Sequence, residues 1–255
     1  MELFNGCIYE TEELLRSSSA KKWAYDPTAC WPETSRNELI MLREAAYELG
    51  GSAKSAVAFS CFTTNERLVG PDEVWLYGPD LSEIRGDCAF ARIVLFSIQD
   101  VGEEDEAYRA LQDIEFVKYH VFPKGYMIRA LSEDNREQVR VSRAAIRDGI
   151  SFRNVGFDYI RRFREKENVR SVRVIFVTAP EADYAALRAN ARKVSDITRS
   201  LSTILDGIPT DCDSCGLREI CDEVEGMREL HFQQAGSSLR RKNKKASTEE
   251  APCVI

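Results

Sequence analysis

Residues 169–178 read Val-Arg-Ser-Val-Arg-Val-Ile-Phe-Val-Thr, and no other stretch of the chain limits the fold as much. Val172, Val174 and Phe176 alternate as a strand requires, while Ile175 and Val177 fill places where a half-exposed strand would carry polar groups. A strand apolar on both faces has to be covered on both, which is the position of a central strand between helical layers. Pro180 ends the run, and residues 181–205 read as a long helix with Ala185, Ala189, Val194, Ile197, Leu201 and Leu205 toward the core.

The rest of the pattern agrees with that class. Residues 56–62, 73–77 and 92–98 are short runs rich in Val, Phe, Ile and Trp bounded by Gly, Pro or Asp, and 139–142 is a short candidate strand. Helical spacing recurs in 103–113, which opens on acidic residues, and in 151–167 through Phe152, Val155, Tyr159, Ile160 and Phe163. Ser35 with Glu38 resembles a capping box, and Leu39, Leu42, Ala46 and Leu49 before Gly50-Gly51 predict a helix over 36–49. The stretch before Pro32 reads as irregular, 116–122 as extended, and Pro123-Lys124-Gly125 as a turn. Alternating strands and helices predict an α/β (α+β) fold, a mixed sheet with packed helices.

Composition narrows the function. The 255 residues carry 42 acidic against 35 basic side chains, a net charge of −7, with 44% hydrophobic residues, enough for a sizeable core without disulfide staples. An acidic balance argues against duplex binding, so nucleic acid is not expected as a partner. No run approaches the roughly 18 apolar residues of a membrane span and the start is acidic, so neither a membrane anchor nor an export signal is expected, and a cytoplasmic setting follows. No nucleophile elbow, phosphate loop or zinc-protease motif occurs, so an independent catalyst is not expected.

Cysteine spacing is the most specific chemical signal. Cys7, Cys30, Cys61 and Cys88 stand alone, and Cys61 in an apolar run reads as a small buried hydrophobe. Cys212-Asp-Ser-Cys215-Gly-Leu-Arg-Glu-Ile-Cys221 instead places three thiolates within ten residues, and His231 can supply a fourth donor. A second compact knuckle, which zinc favours, is missing, because nine residues separate Cys221 from His231. An iron–sulfur site wrapped by a loop fits that gap better. Zinc, a redox thiol pair and an ordinary surface role for His231 are the alternatives.

The chain here resembles the acetyl-CoA synthase β subunit of the carbon monoxide dehydrogenase/acetyl-CoA synthase family of anaerobes. Tyr47-Glu-Leu-Gly-Gly51, Val69-Gly-Pro-Asp-Glu73 and Tyr77-Gly-Pro-Asp-Leu81 look like the start of that family's middle domain, and the order of elements into the cysteine loop is similar. The resemblance implies a 4Fe-4S cluster on Cys212, Cys215 and Cys221, with His231 where the family has a fourth cysteine. It also implies coenzyme A near an arginine-rich region, where Met127 stands in place of a tryptophan. No Cys-x-Cys for the family's nickel pair occurs, so the chain is not expected to make acetyl-CoA alone.

The arginine-rich region is visible in its own right: residues 129–173 hold eleven arginines and Lys166 against seven acids. Arg136, Arg140, Arg143 and Arg147 stand three and four apart, so a helix would present them as one stripe, suited to a phosphate or to the acidic face of a partner; a solvated face is the alternative. His120 reads as structural. The expected organisation is an N-terminal extension with one helix over 1–50, an acetyl-CoA synthase-like α/β domain over 51–206, a cysteine-rich cluster loop over 207–233 and a disordered tail over 234–255. The expected role is an accessory electron-transfer or docking protein of anaerobic one-carbon metabolism, with a corrinoid, methyltransferase or dehydrogenase partner. The alternatives are an enzyme completed by a partner chain and a zinc-stabilised interaction module.

Overall fold

The computed structural model describes residues 2–51, 53–99, 104–131 and 135–205. Its contacts divide the chain into residues 1–195 and 196–255. The described part of the second unit is the end of one helix; both sheets and the other helices belong to the first.

The run that dominates the sequence is strand β8 (Val169–Val177), and it lies in the middle of a five-stranded sheet. Its neighbours are β4 (Glu73–Tyr77), parallel to it, and β5 (Phe90–Ile98), antiparallel. Beyond them, β1 (Ala20–Ala24) pairs antiparallel with β4, and β3 (Ala56–Thr63) parallel with β5. Positions 172–177 of β8 are all buried, so both faces are covered, as the double-sided apolar pattern requires. The fold is thus mixed α/β, with a mixed sheet and packed helices.

Helix α5 (Phe152–Phe163) covers the face carrying Phe90, Phe96 and Phe176. Its start is fixed by a reciprocal cap in which Ser151 Oγ accepts from the Asn154 amide and Asn154 Oδ1 from the Ser151 amide. Phe152 packs tilted against Phe176 at 4.6 Å and Phe163 meets Phe96 edge-on at 4.7 Å, so the helix's first and last turns are both anchored on the sheet. Elsewhere α1 (Asn5–Leu15) packs on β3 and is tied to the start of α6 (Tyr184–Leu205), where Asn190 donates to the Cys7 carbonyl and the Thr11 hydroxyl. Short α2 (Glu66–Val69) follows β3.

A second, antiparallel sheet has the order β2 (Ala45–Leu49), β7 (Arg136–Ser142) and β6 (Tyr126–Leu131). It joins the larger sheet near β3 and β5, where the Ala58 amide donates to the Asn135 carbonyl. Helix α3 (Glu104–Val117) comes before β6 in the chain, and α4 (Arg143–Asp148) follows β7 directly.

Four expectations are corrected. The helix over 36–49 does not form: Ala45, Tyr47 and Leu49 are buried in alternation with Ala46 and Glu48, so the period of two prevails and β2 results. Glu38 does not cap a helix but accepts a hydrogen bond from the Gly125 amide at 2.8 Å. Residues 116–122 are not extended, since α3 runs to Val117 and a 3-10 turn spans Lys118–His120. The first fifty residues are not an extension: β1 and β2 each pair with strands beyond residue 50, and α1 contributes buried Ile8 and Leu15.

Close packing of α5 on the sheet depends on Gly156. A Cβ there would lie 2.5 Å from one Val74 methyl and 3.2 Å from the Phe176 ring, in a region with no room to relax. We expect Gly156→Ala to destabilise the fold by about 1–3 kcal/mol, although alanine is the better helix former by about 1 kcal/mol. Urea unfolding measures the difference, and an unchanged or raised midpoint would contradict it.

Candidate functional site

The four arginines expected on one stripe lie on two different elements. Arg136 and Arg140 are on β7, on the face opposite buried Glu137, Val139 and Val141, whereas Arg143 and Arg147 are on α4. Alternation inside β7 explains the difference, because the buried residues of 137–141 recur every two positions. Arg140 is engaged internally: Nε donates to Glu48 Oε1 at 2.7 Å and Nη1 to the Ile40 carbonyl at 2.6 Å, bridging two strands and a loop. Arg143 donates to the Arg43 carbonyl at 2.6 Å. Arg143 and Arg147 together line a cleft of about 1100 Å³, whose other wall is the 34–40 segment. Met127, where the resemblance implies a lost ring, is buried against Ile40 and Ala45, and its sulfur accepts from the Ile40 amide.

A buried polar network that spacing did not single out crosses the junction of the two sheets. Arg92 of β5 is 1% exposed and forms a forked pair with Glu137 of β7, with Nε at 2.8 Å from Oε1 and Nη2 at 2.5 Å from Oε2. Its guanidinium carbon stands 4.8 Å from the centre of the Tyr159 ring on α5. Burial disfavours the Arg92 charge, but Glu137 beside it more than offsets this and the group is held firmly protonated. Burial also pushes the Tyr126 and Tyr159 phenols up, keeping both neutral. Their hydroxyls and Arg92 Nη1 have no hydrogen-bond partner among the described residues. The one sequence signal for this network is a single arginine inside the apolar run Phe90–Ile98.

A second charged cluster lies at the edge of α5. Asp158 is fully buried, and its Oδ1 lies 3.3 Å from Arg161, which also reaches Glu33 at 3.1 Å. Glu33 is held more closely by Arg162 at 2.7 Å. Burial, reinforced by the nearby Glu33 charge, pushes the Asp158 carboxyl up to about 8; Arg161, more than a third exposed, offsets only part of this. Burial likewise raises the Cys30 thiol beside it. A cysteine so placed is a poor nucleophile.

Cys212, Cys215, Cys221 and His231 lie outside the described residues. Among the described residues no group of three His, Cys, Asp or Glu side chains converges to hold a metal ion. Cys61 is fully buried in β3, and burial raises its thiol well above the ordinary value. His120 is exposed in its 3-10 turn, with Nδ1 3.1 Å from the Phe116 carbonyl. No described helix is long and apolar enough to cross a membrane. No protein-family model matches the chain, and no curated protein matches it.

Two outcomes follow from the network. Glu137→Ala leaves the Arg92 charge buried without its partner and is expected to cost about 3–5 kcal/mol, whereas Arg92→Met combined with Glu137→Leu should recover most of that loss. Chemical unfolding of the three proteins checks this, and equal losses in the single and double variants would contradict it. Asp158 gives a pH dependence. The folded state keeps its proton where the unfolded chain has lost it, so the stabilising contribution is complete below the ordinary value of 3.8 and is lost as the pH rises through about 8. Asp158→Asn should flatten that part of the stability profile; an unchanged slope would show that another group titrates.

Proposed function

We propose that the chain is an acetyl-CoA synthase-like iron–sulfur protein that serves as an accessory electron-transfer or docking component in anaerobic, cytoplasmic one-carbon metabolism. The observation that carries the reading is the donor set: Cys212, Cys215 and Cys221 within ten residues, followed by His231. Three soft thiolates and one imidazole suit iron in a cluster, and Cys7, Cys30, Cys61 and Cys88 compete poorly, since burial raises all four thiols and each stands apart from the others in sequence. In this reading the three cysteines and His231 hold the cluster, which when bound supplies one-electron chemistry. The α/β body acts as a rigid carrier. Its densest group of buried charges is consumed in structural pairs, which supports an accessory role over an independent catalyst. A corrinoid, methyltransferase or dehydrogenase component is the partner class that the resemblance implies.

Protein purified without oxygen should be brown, with acid-labile sulfide and iron. Replacing Cys212, Cys215 or Cys221 singly by Ser should remove most of the iron, because such a site has no spare soft ligand. His231→Cys should keep the cluster and lower its potential, as thiolate puts more negative charge on iron than imidazole does. Stoichiometric zinc without sulfide would overturn the reading and leave a zinc-stabilised module.

A further inference from the structure

We propose that the cleft between the 34–44 segment and α4 is a docking site for a segment of a partner protein in which acidic residues flank large apolar ones. This deepens the docking part of the reading above, and it rests on three independent features of the cleft.

The first is an apolar ridge that the fold leaves uncovered. Leu39, which lines the cleft, is 77% exposed, and beside the cleft on the same loop Leu42 is 71% and Met41 48% exposed, three large apolar side chains within four residues outside any helix or strand. Isolated exposed leucines are ordinary, but a cluster of this kind marks an interaction surface.

The second is that the ridge is pinned. Asn37 donates to the Ile128 carbonyl at 2.7 Å and accepts from its amide at 3.3 Å, extending the free edge of β6 with a side chain. The Ile40 amide is bonded to Met127, the Ile40 carbonyl to Arg140, and the Met41 amide to Glu44 Oε2 at 3.0 Å. Backbone on both sides of Leu39 is therefore fixed, and the ridge is presented in one geometry, which lowers the ordering cost of binding.

The third is charge. Five charged residues line the cleft: Arg36, Arg143, Arg147, Glu38 and Glu44. Both carboxylates are turned onto backbone amides, Glu38 onto Gly125 and Glu44 onto Met41. The side chains of Arg36 and Arg147 are exposed and have no hydrogen-bond or ion-pair partner among the described residues. The walls thus offer unpaired guanidinium groups around an apolar ridge, on a chain whose net charge is −7. A carboxylate-bearing segment answers the arginines with paired forks, and its apolar side chains cover Leu39 and Leu42. A peptide segment is favoured over a membrane surface because the arginines and Leu39 line a cleft, which a narrow chain can fill. Nucleic acid would meet the acidic remainder of the molecule.

The test uses the full chain and a display library of short random peptides. Enriched peptides should combine Asp or Glu with Leu, Ile or Phe. The best of them, synthesised with a fluorophore, should bind about tenfold or more weakly to Arg36→Glu/Arg147→Glu and to Leu39→Ser/Leu42→Ser. Both variants should melt as the parent does, since these side chains have no partners to lose, and added salt should weaken binding to the parent. Peptides without acidic bias, or binding indifferent to both variants, would overturn the proposal. So would co-sedimentation with phosphatidylserine vesicles that the same substitutions abolish. Because iron and sulfide are measured separately, failure of the cleft and failure of the cluster reading are distinguishable.

Discussion

The buried pair between Arg92 and Glu137 sets the geometry on which the rest depends. Removing both charges from water costs several kcal/mol per ion, and that cost is offset only when the forked geometry is met. The pair therefore fixes β7 against β5, one strand from each sheet. A one-residue slip of β7 would turn Glu137 outward and bury Arg136 or Gln138 instead. Tyr159 over the guanidinium brings α5 into the same constraint. With the register set, Arg140 falls on the opposite face, where it reaches Glu48 and the Ile40 carbonyl, and Ser142 falls where it caps α4. The position of the 36–44 loop and of α4, and so of the cleft between them, is fixed by a contact in the core.

Legible in the sequence are the elements whose own period decides their structure. The double-sided run forms β8, 73–77 forms β4 without a shift in either boundary, and the 151–167 pattern forms α5 with its cap. The segment 36–49 misleads because Leu39, Leu42, Ala46 and Leu49 satisfy a helical period while Ala45, Tyr47 and Leu49 satisfy a strand period. Local sequence contains both. The choice is made by β7, which offers Val139 and Val141 as partners for the buried side of β2, and a partner ninety residues away leaves no trace in the local pattern. Leu39 and Leu42, which suggest a buried helix face, are the most exposed large apolar residues of the described chain.

The candidate site is legible in residue type and illegible in arrangement. Arg143 and Arg147 do line a cleft, but their partner there is Arg36, more than a hundred positions earlier, and Arg136 and Arg140 belong to a strand. The Arg92 network leaves only one mark in the sequence, a lone charge within an apolar run, and such a mark has no spacing that points to a partner. Only the fold supplies Glu137 as its partner.

The arginine excess over 129–173 shows why a local charge count is a poor guide to a surface. Arg161 and Arg162 close on Glu33, Arg170 on Glu66, Arg164 on Asp72, and Arg173 on Glu12, all acids from the first third of the chain. Arg173 also lies 3.9 Å from the centre of the Trp75 ring, which a second cation, Lys22, approaches to 3.7 Å. These pairs stitch late elements to early ones and remove most of the excess from view. An exposed pair adds only about 0–1 kcal/mol, so several of them secure the assembly of distant segments without dominating its stability. The cations that escape this pairing on α4, joined by Arg36, are gathered beside the exposed apolar ridge of the 34–44 loop. A net-acidic protein can in this way present a cationic, apolar recognition surface without a basic sequence motif, because carboxylates distant in the chain neutralise the other arginines and the cleft's own two carboxylates are bound to its backbone.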